Sequence, residues 1–411
     1  MRLTFAKGQM KLLVIGAGMM GSAAAFDMAR SSGVESVTLA DCDIASAQDA
    51  ARFIAKSHGK KGASVQPVAL DAADEGSASA LMRGHTGVLS AVPYFFNVHL
   101  ARAAIGAGCH FADLGGNNTV VRKTLAMGAE AEKNGIGLAP DCGLSPGMAS
   151  VLAGDLVRRL RSDKRRGRAG KHAKKGEKSS IDALRLYVGG LPKKPRPPFE
   201  YQLVFSVEGL INEYVEPARV LKNGKLVEIE PLTEPEEFRI RGFRPMVAFH
   251  TSGGTSTMPE TFQAEVGECF EKTLRYPNHY TLIRGLYDLG FFSSEKRRLK
   301  SGEVSPRELT SYLFLEKLSG EEPDVTIMRI EAQANKRLLS YTMIDEYDRR
   351  TGLTSMMRTT AWPASVVLQM IANGAIAKQG GIKQELDVPT DLFLREMSRR
   401  GIKIRFAQTG R

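Results

Sequence analysis

At 411 residues the chain is longer than one hydrophobic core sustains, and with 43% hydrophobic and 25% charged residues it has the make-up of a globular protein of two domains. No apolar run approaches the roughly 18 residues of a membrane span, and residues 1–9 lead into no apolar stretch with a small-residue cleavage site; neither a membrane protein nor a secreted one is expected, but a cytoplasmic one. Of the formal charge of +12, residues 158–178 supply +9; they hold no aromatic side chain to stack on a base, so a solvated basic loop is expected and nucleic acid is not.

In chain order, residues 11–18 read as a buried strand running into Gly16-Ala17-Gly18-Met19-Met20-Gly21, and the small residues of 22–30 suit a helix packed close on a sheet. Strand and helix then alternate. A second strand, 36–40, ends in Asp41 before a helix over 44–58; a third, 65–70, precedes a helix over 74–83; a fourth, 88–92, stops at Pro93. A helix over 97–107, a fifth strand over 110–114 meeting Gly115 and Gly116, a long helix over 119–134 and a sixth strand over 136–139 complete the series. Six strands separated by helices predict a Rossmann, doubly wound parallel sheet whose binding crevice lies at the strands' carboxyl ends. Ser145-Pro146 reads as the start of a helix over 147–160.

The texture then changes. Strands are predicted over 184–188, 202–207 and 219–221, with Asn223-Gly224 as a hairpin turn before 226–229. Two more, 325–332 and 340–345, flank Asn335-Lys336, and a helix follows over 360–377. The prediction is a second α+β domain with a mostly antiparallel sheet.

The motif Gly16-Ala17-Gly18-Met19-Met20-Gly21 follows a strand and opens a helix, the context in which it binds a dinucleotide: Gly16 for the tight turn, Gly18 for backbone approach to the pyrophosphate, Gly21 for close helix packing. Asp41, twenty residues on, suits the ribose hydroxyls and repels a 2′-phosphate, so NAD is expected rather than NADP. Asp71 lies near the adenine or caps a helix. Ala91, Val92 and Pro93 line the cofactor side of the fourth strand's end, with Tyr94 beside them. Asp113 and Asp141, at the ends of the fifth and sixth strands, converge on the same crevice; Asp141 has capping of the next helix as its alternative. Two carboxylates beside a nicotinamide suit an amine substrate, which needs acceptors and a base before it can give up a hydride. Cys42, Cys109, Cys142 and Cys269 form no CxxC pair, so no metal site or disulfide framework is expected, and Cys142 reads as an inert thiol.

Ala91-Val92-Pro93-Tyr94, Asp113-Leu114-Gly115-Gly116-Asn117 and Asp141-Cys142-Gly143-Leu144-Ser145-Pro146-Gly147 together resemble the saccharopine dehydrogenase-like family. The likeness continues through Gly189-Gly190-Leu191-Pro192, the run from Tyr201 to Leu210, Tyr214-Val215-Glu216-Pro217-Ala218, Thr273-Leu274-Arg275-Tyr276 and Pro363-Ala364, with 158–178 standing out as an insertion. Within that family the chain is most similar to lysine 6-dehydrogenases. The resemblance implies a Rossmann domain over 10–146 to which the segment from about 355 to 411 returns, and a domain over 147–354 that binds substrate and forms a homodimer. It implies NAD-dependent oxidation of L-lysine at its ε-carbon, giving ammonia and allysine, which cyclises to a piperideine carboxylate. A saccharopine or related carboxyalkyl-amine dehydrogenase is the alternative, and a non-catalytic NAD-binding regulatory protein is the alternative of another class. Asp141 and Asp113 become the base and the ammonium holder, Tyr94 shapes the amine pocket, and Arg244 or Arg275 pairs the substrate carboxylate, each with a surface ion pair as its plainer role.

Overall fold

The computed structural model describes residues 10–59, 62–167, 181–300 and 302–410, the side chains of 163–167 excepted. Of the basic stretch 158–178, expected as a loop, residues 158–167 instead continue the helix Ala149–Gly167, and 168–178 lie outside the described residues. The chain divides into two units: residues through Asp155 joined by Met357–Ile402, and Leu156–Met356 joined by Lys403–Arg411.

The first unit is built on β1 (Met10–Ile15), β2 (Val34–Asp41), β3 (Ser64–Ala69), β4 (Gly87–Ser90), β5 (His110–Asp113) and β6 (Gly137–Ala139). Leu12, Leu13, Val14 and Ile15 are all buried; a strand covered by helices on both faces has no polar side to alternate with. The sheet runs β6-β5-β4-β1-β2-β3, all parallel, so the order reverses between β1 and β4, where a doubly wound sheet opens its crevice. The two-residue strand Gly380–Gly381 adds a seventh, parallel to β6, that its sequence did not announce. The helix Ser355–Ala372 lies in this unit's core from Met357 on, its Trp362 indole donating to the Ala23 carbonyl at 3.2 Å. Arg400 gives Asp27 a charge partner inside the unit, its Nε lying 2.8 Å from both carboxylate oxygens.

Three local predictions give way here. Ser145, Pro146 and Gly147 are not helical, Gly147 taking φ +126°, and the helix starts at Ala149; a Cβ on Gly147 would stand 2.5 Å from the Cys142 carbonyl carbon, so the chain turns sharply before it can coil. The long helix over 119–134 is two, Asn118–Ala126 and Gly128–Lys133, parted where Gly128 comes up against the Gly381 backbone. The segment from about 355 to 411 does not return whole: its last strand, Ile404–Thr409, pairs in the second unit's sheet.

That sheet has the order Glu236–Phe238, Met246–His250, Val266–Arg275, Ile181–Pro192, Asp324–Ala334, Arg337–Glu346, Ile404–Thr409. All neighbours are antiparallel except Val266–Arg275 with Ile181–Pro192. The Asn223-Gly224 turn closes its hairpin with φ +51° and +71°, the left-handed pair a two-residue turn requires. The predicted strand over 202–207 is absent: Ser206 accepts the Gly209 N–H at 3.2 Å and caps the helix Val207–Val215. No helix among the described residues is long and apolar enough to cross a membrane.

Candidate active site

The glycine loop meets the requirements of a dinucleotide cradle one residue at a time. Gly16 takes φ +103°, and a Cβ there would press to 2.7 Å of the Ala91 carbonyl oxygen and 3.1 Å of Val92 Cγ1. A Cβ on Gly21 would lie 1.7 Å from the Gly16 carbonyl oxygen, so only glycine lets the helix Met19–Ala29 begin so near the strand. A Cβ on Gly18 would meet nothing within 4 Å, which leaves open space over the helix's first N–H groups, where its partial positive charge is strongest. Met19 is exposed, Met20 partly buried and Ala17 buried. Asp41, at the end of β2, reaches the loop itself: its Oδ2 accepts the Ala17 N–H at 2.6 Å and its Oδ1 the Asp43 N–H at 2.9 Å. The loop fits a nicotinamide dinucleotide.

Asp71 is exposed and accepts the Ala73 N–H at 2.8 Å in a turn; the cap of the following helix is Asp74, which accepts the Ser77 N–H. Ala91 and Val92 pack on Gly16, and the exposed Pro93 precedes a single turn, Tyr94–Phe96. Tyr94 lies against Gly116, whose Cβ would come within 3.2 Å of its ring.

Beside it stand the two carboxylates. Asp113 Oδ1 accepts the N–H of Gly115 at 2.8 Å and of Asp141 at 2.9 Å, while its Oδ2 is buried with no hydrogen-bond partner among the described residues. Burial pushes Asp113 up to about 6 against the pull of those two N–H groups. Asp141 takes φ +59°, the left-handed conformation that asparagine and aspartate tolerate better than most, and a Cβ on Gly115 would be 2.2 Å from its Oδ1. Glycine at 115 is what lets the Asp141 carboxylate approach the end of β5. Cys142 is buried behind the pair, its thiol held well above its usual range by burial and then by the charges of Asp113 and Asp141. It donates to the Ala139 carbonyl at 3.0 Å and is no nucleophile in that state.

In the second unit the two candidate arginines differ. Arg244 is more than half exposed, pairs Glu200 at 2.9 Å and lies over the Tyr276 ring. Arg275, at the end of Val266–Arg275, is 2% exposed. Its Nη1 donates to the Leu274 carbonyl at 3.0 Å and its Nη2 reaches Glu213 at 3.5 Å, while its Nε has no hydrogen-bond partner among the described residues. Around it lie Tyr201 and Tyr214, which stand in motifs of the resemblance but carry no role in it, Tyr201 beneath the guanidinium and Tyr214 bonded to His279 at 2.8 Å, and Glu271, which no motif marks, buried between the hydroxyls of Thr251 and Thr273. Burial and then the charge of Glu213 raise Glu271 to about 8. A buried guanidinium with an unpartnered Nε is suited to a carboxylate. No group of His, Cys, Asp and Glu among the described residues could hold a metal ion.

The profile of the saccharopine dehydrogenase NADP binding domain matches residues 12–138, and that of the saccharopine dehydrogenase C-terminal domain matches residues 143–402. Curated relatives are the saccharopine dehydrogenases (NADP(+), L-glutamate-forming) of Pyricularia oryzae, 24% identical over 264 residues, and of Schizosaccharomyces pombe, 25% identical over 262. Those alignments cover 63% and 62% of this chain, which spans about half the length of the relatives, 55% and 54%. Among solved structures, the apo saccharopine dehydrogenase (L-Glu forming) of Saccharomyces cerevisiae superposes with a TM-score of 0.77 at 16% identity, covering 98% of this chain and all of that one. The homospermidine synthase of Legionella pneumophila in complex with NAD gives 0.64 at 10% identity, covering 98% and 92%. These likenesses are of fold, but the two profiles between them take in nearly every residue from 12 to 402, and on them the chain belongs to the saccharopine dehydrogenase family.

Proposed function

We propose that the chain is an NAD-linked dehydrogenase that oxidises the ε-carbon of L-lysine, releasing ammonia and leaving allysine, which cyclises to a piperideine carboxylate. The observation that carries this reading is the buried pair Asp113 and Asp141 at the ends of β5 and β6, in the same sheet as the glycine loop. Two carboxylates there suit an amine. Asp141 holds the ammonium, and Asp113, more basic than an ordinary carboxyl because it is buried, takes its proton. Tyr94 bounds the amine's pocket, and Pro93 and Asp71 border the cofactor. The dinucleotide, when bound, supplies the hydride acceptor. Water then adds to the substrate imine, and ammonia leaves.

Asp41 supports NAD over NADP, since its carboxylate repels a 2′-phosphate. Arg275, buried and with an unpartnered Nε, pairs the substrate carboxylate, whereas the exposed Arg244 serves Glu200. The second reading, oxidation of saccharopine, is favoured by the names of the curated relatives. Cys42, Cys109, Cys142 and Cys269 are thiols rather than disulfides, which supports a cytoplasmic enzyme, and the exposed Leu289, Tyr312 and Leu315 of the second unit support a homodimer.

The test is reduction of NAD, and separately of NADP, with lysine alone and with saccharopine alone. Turnover of saccharopine without lysine replaces the first reading by the second, and binding of NAD without turnover of either leaves a non-catalytic NAD-binding protein.

A further inference from the structure

Gln384 comes from far along the chain, in the helix Gln384–Asp387 that follows Gly380–Gly381, and is 4% exposed. Its side-chain Nε2 donates to the Pro140 carbonyl at 3.0 Å and to Cys142 Sγ at 3.0 Å. The two acceptors flank Asp141. Turning the amide over would set Oε1 against the Pro140 carbonyl oxygen, so the donor orientation is the one the surroundings allow. From the other side, the end of β5 holds Asp141 and Cys142, with the Cys142 N–H on the Asp113 carbonyl at 2.8 Å and the Asp141 N–H on Asp113 Oδ1. Between these two grips Asp141 keeps its left-handed backbone.

We propose that Gln384 is a positioning residue for the carboxylate pair: by clamping the peptide before Asp141 and the thiol after it, Gln384 keeps the Asp141 N–H on Asp113 and the Asp141 carboxylate against Gly115. This rests on the reading of Asp113 and Asp141 given above. A displacement of about 1 Å at such a pair is enough to cost on the order of a hundredfold in rate, and a weakened Asp141 N–H bond makes Asp113 more basic.

The test uses the full chain with Gln384→Met, which keeps length and volume but cannot donate, and Gln384→Glu, which keeps shape and polarity. Turnover of the Met variant should fall about 10- to 100-fold, with KM for NAD unchanged and the acid limb of the pH–rate profile displaced upward. Gln384→Glu should lose further rate as pH rises, because an ionised carboxylate then faces the Pro140 oxygen; this variant carries the test if the Met variant does not fold. A folded variant of either kind with wild-type turnover and an unmoved acid limb overturns the proposal, as does a loss of rate with the limb unmoved, which is what a merely structural glutamine gives. Asp141→Asn is measured alongside. If it too turns over normally, the carboxylate pair has been misread; if it is crippled while both Gln384 variants are normal, only the clamp has.

Discussion

Asp113 Oδ1 accepts the backbone N–H of Asp141 at 2.9 Å, so the end of β5 holds Asp141, two residues past β6, through its main chain and leaves its carboxylate to other work. The dependence runs both ways, because the same N–H restrains the upward push of burial on Asp113. The acid limb of the pH–rate profile should accordingly lie near pH 6, and Asp113→Asn should abolish it with most of the turnover. Asp141→Asn should lower turnover by about 10²- to 10⁴-fold with little change in the dissociation constant of NAD measured by fluorescence titration. A normal rate in either variant removes that residue from the chemistry.

The glycine loop separates binding from folding. Gly18→Ala adds a methyl where nothing stands within 4 Å, so the unfolding midpoint should hold to within a few degrees while affinity for NAD falls about tenfold or more. Gly21→Ala drives a methyl into the Gly16 carbonyl and should cost stability itself. Unchanged affinity for NAD in Gly18→Ala would mean that the space over Gly18 is not where the pyrophosphate sits.

Substrate recognition separates the two arginines. Arg275→Met should raise KM for lysine about 10- to 100-fold, the worth of a charged hydrogen bond. It should leave 1,5-diaminopentane, lysine without its carboxylate, as poor a substrate as before. Arg244→Met should change neither constant, because that arginine serves Glu200. The reverse pattern exchanges their roles.

Glu271 makes stability depend on pH. Its folded value, raised from 4.5 to about 8, means that the folded state retains a proton the unfolded chain has given up. Its contribution is whole below about pH 4.5 and is lost as pH rises through 8. Urea midpoints taken across that window should decline, and Glu271→Gln should flatten the decline. An equally steep slope in the variant would place the titrating group elsewhere.

The residues legible in the sequence are those governed by local rules. The glycine loop, Asp41, Asp113 and Asp141 each sit where an apolar strand stops, and a strand's end can be read from its own few residues. Gln384 could not be found so, because its partner Cys142 stands 242 positions away and no spacing marks it. Gly380–Gly381 is too short to carry a pattern. Ile404–Thr409 is exposed along nearly its whole length, so the backbone pairing that makes it a strand leaves no apolar alternation behind. Ser145-Pro146 misled for the opposite reason: its residue types are those of a helix start, and the crowding of Gly147 on Cys142 delays the helix to Ala149.

Because the chain passes from the first unit to the second, back, and out again to lay Ile404–Thr409 along Arg337–Glu346, neither sheet is complete until residues beyond 380 have been made. On the ribosome, then, the dinucleotide half must wait for Gly380–Gly381 and the helix Gln384–Asp387, and the strand Arg337–Glu346 waits with a bare edge, open to pairing with other chains. Synthesis from one end therefore does not let these two units fold one at a time, since each lacks a strand until the chain has been made past residue 380.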